Sequence, residues 1–203
     1  MSGYLAVNMV SRALRRILVA AYEADPMVNS LVGGEDGVVF SNPTETARNP
    51  AKHLSLWLYR ITENEFMKNI PAPVEQDRHS RRISPLALDL SYLVTPFTNS
   101  GENDQVLLGK TMQVLHDNGS VYIRDRLNDV VDEVRVVFCR LPLEEVTRIW
   151  EALQEPYRLS VCYLVRVIRV DGIRVDETSP VLEVTAGLAP VAAPTTVEGV
   201  VSV

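Results

Sequence analysis

The 203-residue chain is long enough to bury a core as one domain, and 46% apolar with 23% charged residues excludes wholesale disorder. A net charge of −6 argues against binding a phosphate backbone as its main task, because such binding needs a positive field. No uninterrupted apolar run reaches the roughly 18 residues of a membrane span, so the chain reads as soluble and cytoplasmic, with neither nucleic acid nor bilayer as partner.

The first element is a helix. Val10, Ala13, Leu14, Ile17, Leu18 and Ala21 recur at helical spacing and form one apolar stripe, with Arg12, Arg15 and Arg16 mainly off it. Those arginines make either a solvated face or a partner-facing patch. Pro26 ends the helix or follows its end. Gly33, Gly34 and Gly37 mark a turn before Val38, Val39 and Phe40, and no Gly-Lys-Ser/Thr follows to make it a phosphate cradle. Asn42-Pro43 and Asn49-Pro50 punctuate a loop.

From Leu54 a strand sets Leu54, Leu56 and Leu58 on one side and Ser55, Trp57, Tyr59 and Ile61 on the other. Both sides are apolar, so the strand is central or covered on both faces. It ends in Glu63, Asn64 and Glu65, and two readings are open: the lip of an acid–base site, or the edge of a contact surface. Between Pro71 and Pro85 lies a polar, proline-bounded segment with one dense basic run, Arg78, His79, Arg81 and Arg82. No aromatic residue interleaves with it, as single-stranded nucleic acid would want. It reads as a solvated loop or as a dock for an acidic protein.

A second strand, carrying Leu86, Leu88, Leu90, Tyr92 and Val94, stops at Pro96 and suggests an antiparallel pair with the first. A helix through Val106, Leu107, Thr111, Val114 and Leu115 follows, with Asn99 and Glu102 approximating a capping box and Gly119 suited to a left-handed stop. After a weakly patterned stretch, Val134, Val136 and Phe138 alternate in a short strand. Leu143, Val146, Trp150 and Leu153 give a third helix, stopped by Pro156. The longest strand comes last, with Leu159, Val161, Tyr163, Val165 and Val167 on one face and Cys162, Leu164 and Ile168 on the other. Asp171-Gly172 is a strong hairpin signal, so Ile173 to Val175 is expected to fold back on Ile168 to Val170. That turn opposes Arg169 and Arg174, at a cost of up to about 1 kcal/mol, which a carboxylate from this chain or another would relieve. Residues 189–203 read as a flexible tail behind a domain of residues 1–188.

Chemistry is sparse. None of the three histidines has a second ligand at metal spacing, and no Gly-x-Ser-x-Gly elbow occurs. Asp129, Asp132 and Glu133 read as a solvated helical face, and Glu144 and Glu145 as charges favoured in a first helical turn. Cys139 and Cys162 sit in apolar runs as small hydrophobes, two being too few for a disulfide framework. The expectation is an α+β domain, a mainly antiparallel sheet with about three helices packed on it, with no catalytic, metal or cofactor site. Candidate contact residues are Arg78, Arg81, Arg82, Arg169, Arg174, Glu63 and Glu65.

Four stretches taken together, SLWLYRITENEFMKN, PLALDLSYLVTPF, ENDQVLLGKTMQVLHDN and LPLEEVTRIWEALQEPYRLSVCYLVRVIRVDG, resemble the cap or tail-terminator proteins of extracellular contractile injection systems. Those are the phage-tail-like particles typified by the Photorhabdus virulence cassettes and the antifeeding prophage. The resemblance implies a tail-terminator-like fold and no catalysis. It also implies a homo-hexameric ring that closes the baseplate-distal end of tube and sheath and fixes particle length. Tube and sheath proteins are then its partners, and it assembles in the cytoplasm before becoming part of the assembled particle, whose release is left open. In that setting Glu63 and Glu65 face solvent or a neighbouring subunit, and the valine-rich end from Val197 is a candidate exchange arm. A sheath or baseplate adaptor, a small enzyme, and a module binding acidic partners through Arg78 to Arg82 are the alternatives.

Overall fold

The computed structural model describes residues 3–67, 80–82, 85–124, 130–170 and 175–177. Its first long helix, α1 (Ala6–Glu23), buries Val10, Leu14 and Leu18 and leaves Arg12 and Arg16 exposed, as the stripe requires. Pro26 does not merely follow it. The Asp25 carboxylate accepts from the Val28 N–H at 3.4 Å, and Pro26 takes the first position of a second helix, α2 (Pro26–Val32). Proline suits that position because its missing N–H would have no helical partner there. Asp25 also meets Lys110 Nζ at 3.2 Å, and that contact, foremost, holds its carboxyl below the usual range. Gly33 closes α2 at φ 70°, a left-handed conformation that glycine adopts without a Cβ clash.

β1 (Val38–Val39) follows, and then the Asn42-Pro43 pair opens a short helix, α3 (Pro43–Ala47), rather than a plain loop. The Asn42 side chain accepts from the Glu45 N–H at 2.8 Å. The remaining strands are β2 (Leu54–Glu63), β3 (Ser80–Arg82), β4 (Leu86–Pro96), β5 (Ser120–Arg124), β6 (Val130–Cys139), β7 (Val161–Val170) and β8 (Val175–Glu177). Between them lie α4 (Gly101–Asp117) and α5 (Leu143–Leu153). The three expected helices are α1, α4 and α5, with α2 and α3 additional short ones.

Six strands form one sheet in the order β1-β2-β4-β7-β6-β5, antiparallel throughout except for the short β1–β2 pair. The helices α1, α2 and α4 close one face over Leu54, Leu56, Leu90, Tyr92, Val94, Val134, Tyr163 and Val165. Two buried hydroxyl pairs cross this core: Tyr92 Oη to Ser11 Oγ at 2.7 Å, and Tyr22 Oη to Thr111 Oγ1 at 2.6 Å. Each satisfies a polar group that would otherwise be stranded away from water.

The structure departs from the sequence reading at further points. Ser100, not Asn99, caps α4 by accepting from the Asn103 N–H, and Gly119 is not left-handed; the non-glycine Gln154 is, at φ 55° after α5. The weakly patterned stretch holds β5 and the start of β6, so Asp132 and Glu133 lie on a strand rather than a helix; Asp129 falls outside the described residues. A bulge sets two β7 residues against Asp89 of β4, which turns Ile168 onto the core face with Val165. Last, Val175 does not fold back on β7. It stands opposite Arg82 in a separate β3–β8 pair, while Leu86 and Leu88 of β4 stand opposite Val170 and Ile168. The Asp171-Gly172 pair and Arg174 lie outside the described residues, as do residues 189–203.

Candidate assembly surface

Antiparallel order brings particular chain segments to one end of the sheet. The C-terminal ends of β2, β5 and β7 and the N-terminal ends of β4 and β6 all emerge there, as the pairs Glu63–Leu88, Arg124–Val130 and Leu86–Val170 show. Three residues part Arg82 from Leu86 and four part Val170 from Val175, so the β3–β8 pair extends from the same end. Glu63, Glu65, Arg169 and the backbone of Arg81 and Arg82 are thereby gathered at this end. Arg78 lies outside the described residues.

Within the Glu63-Asn64-Glu65 cluster the amide is the structural member. Asn64 is 5% exposed, between exposed glutamates. Its Nδ2 donates to both Asp89 oxygens, at 3.0 and 3.1 Å, while its Oδ1 accepts from the Phe66 and Met67 N–H groups at 3.1 and 3.2 Å. Asn64 therefore ends β2 and starts the 3₁₀ turn Glu65–Met67. Asp89 is further balanced by Arg166 Nε at 3.5 Å. Asp89 is thus engaged on both oxygens by Asn64, and the two glutamates flank that buried amide as exposed residues. Asn64→Ala is expected to cost about 2 kcal/mol, since a buried carboxylate loses its amide donors. Urea unfolding of the variant checks this.

Arg169 Nη2 meets a carboxylate of the same chain, Asp132 Oδ1, at 3.0 Å, while its expected opposition to Arg174 lies outside the described residues. What the sequence reading missed is carbon. Phe66 is 88% exposed, Ile61 48% and Leu86 47%, all at this end on β2, β4 and the turn that Asn64 holds. Isolated exposed apolar residues are ordinary, whereas several at one sheet end make that end a candidate contact surface. Alternation alone could not reveal it, because exposure depends on where the helices stop covering the sheet.

A groove of about 560 Å³ between α4 and β6 is lined mainly by Met112, Leu115, His116, Val136, Phe138 and Tyr163. No carboxylate or thiol lines it to pair with His116. Among the described residues no group of histidine, cysteine and carboxylates could hold a metal, and no helix is long and apolar enough to cross a membrane.

A protein-family model described as the Pvc16 N-terminal domain matches residues 9–183. Two cryo-EM structures share the fold. The sheath/tube terminator of the extracellular contractile injection system PVC, in its extended state, matches with TM-score 0.64 and 17% identity over 93% of this chain and 65% of its own. The tube-terminating cap of the anti-feeding prophage matches with TM-score 0.56 and 16% identity over 88% of this chain and 60% of its own. The chain thus spans less than two thirds of either. A comparison with curated protein sequences finds no match.

Proposed function

The chain belongs to the Pvc16 N-terminal domain family, and from that premise we propose that it is a terminator of a contractile injection particle. It acts as a cap on the tube and sheath, in a closed ring of six copies at the end distal to the baseplate. The observation that carries this reading is the family match over residues 9–183, supported by two terminators of the same fold. The mechanism is blocking by complementarity. A growing tube presents an unpaired end surface, and a ring that matches it on one side only stops further addition. Head-to-tail contacts within a closed ring supply the matching multiplicity. The sheet end bearing Phe66, Leu86, Glu63, Glu65 and the β3–β8 pair is the proposed contact, with Arg78 and Arg174 as further contact residues. Residues 189–203 are the proposed exchange arm, adding a strand to a neighbour's sheet edge. The function is structural, and no reaction is assigned to the chain. Assembly takes place in the cytoplasm, and the cap leaves with the particle.

Electron microscopy of particles from a strain lacking the gene tests this. The expected result is tubes and sheaths of scattered length with open distal ends, restored to one length by the gene supplied in trans. Particles of uniform length with closed ends in the deletion strain would overturn it.

A further inference from the structure

Cys139 and Cys162 lie twenty-three positions apart in the chain, yet the β6–β7 ladder sets them directly opposite each other. Both are free thiols. Opposed residues of an antiparallel pair stand about 4.5 or 5.5 Å apart at Cα, depending on their hydrogen bonding, and a disulfide accepts about 4.4–6.8 Å. Because the two strands are already paired there, the Cα separation falls within the range that a disulfide spans. We propose that Cys139 and Cys162 are a reversible modification site, closed to an intrachain disulfide by a small-molecule disulfide such as oxidised glutathione.

Burial sets the order of the steps. Cys162 is 3% exposed, with the Tyr59 hydroxyl 3.3 Å from its Sγ, whereas Cys139 is only half-buried. Cys139 is therefore the entry point. Its thiolate attacks one sulfur of glutathione disulfide, the S–S bond breaks, and one glutathione thiolate leaves. Cys162 then attacks the Cys139 sulfur, and the second glutathione leaves. The two cysteine protons end on two glutathione thiols, and the two electrons lost by the cysteines reduce the oxidant. The second step is the slow one, because burial, foremost, holds the Cys162 thiol well above its ordinary pKa. Closure is accordingly faster at alkaline than at neutral pH. The product staples β6 to β7 beside the Phe138–Tyr163 ring pair, whose centroids are 5.6 Å apart.

The test incubates the folded full chain with oxidised glutathione and follows intact mass, free thiols and thermal unfolding. The expected end product is a monomer lighter by two hydrogens, with both thiols lost and no glutathione attached, reached through a transient glutathione adduct on Cys139. Its Tm rises by on the order of 5 °C, and dithiothreitol reverses the change. Cys162→Ser is expected to stop at a glutathione adduct on Cys139. A wild-type chain that ends as that adduct, forms a disulfide-linked dimer, or reacts only when unfolded would overturn the proposal. The wild-type mass decides the matter even if the serine variant does not fold.

Discussion

Phe66→Asp combined with Leu86→Asp is expected to abolish capping while leaving the domain folded. At 88% and 47% exposed, both positions tolerate a charged residue in the isolated chain, where surface substitutions typically change stability by no more than about 0.5 kcal/mol. In an assembled contact the same carboxylates would be buried without a partner, which costs several kcal/mol in a dry interface. A penalty of about 3 kcal/mol per contact lowers an association constant by more than a hundredfold, and in the proposed ring it recurs at every interface. The checks are particle length by electron microscopy and circular dichroism of the purified variant. Met27→Asp is the control, since Met27 is 61% exposed but lies on α2. It is expected to cap normally. Capping by the double variant with unchanged particle length would remove this sheet end from the contact.

The largest loss of stability is expected from Tyr92→Ala, at about 3–5 kcal/mol, against a total of about 5–15 kcal/mol for a domain. Tyr92 is fully buried on the central strand β4, and its removal leaves a ring-sized cavity between α1 and the sheet. Tyr92→Phe keeps the ring and loses only the 2.7 Å bond to Ser11, whose hydroxyl retains the Val7 carbonyl at 3.4 Å; about 1 kcal/mol is expected. The two variants separate packing from hydrogen bonding in urea unfolding. They also report on pH. Burial pushes the Tyr92 phenol up to about 12, and raises Tyr22 and Tyr163 as well. A group that holds its proton more tightly when folded stabilises the fold in full below its unfolded value of about 10. That contribution is lost as pH rises from about 10 through about 12. Wild type is expected to weaken over that window, and Tyr92→Phe to weaken less steeply.

Where hydrophobic period and chain-local chemistry agree, the sequence was readable. The Leu54–Glu63 and Leu86–Pro96 strands, their antiparallel pairing and the stripe on α1 all follow from alternation or helical spacing, because side-chain direction is set by the local backbone. The family was legible in a different way, through the joint resemblance of four stretches to known cap proteins, and the family match over residues 9–183 agrees with it.

The candidate site was legible only in part. Glu63, Asn64 and Glu65 stood out in the sequence, yet the buried amide that positions them could not be told from its exposed neighbours. That distinction needs Asp89, twenty-five residues away. Asp171-Gly172 signalled a hairpin, but a turn signal only states a local preference. The longer-range pairing of Val175 with Arg82 prevailed.

By itself the sequence determined the α+β class and the main strands and helices, which rest on near-neighbour spacing, while the family was read from the resemblance of four stretches to known cap proteins. Only the tertiary structure decided that Ile168 faces the core, that Arg169 is answered by Asp132, that Phe66 and Leu86 share an exposed end, and that the two cysteines are opposed. Each of these depends on strand register. A shift of one residue turns every side chain to the other face, and no local pattern carries that information across the loops between strands.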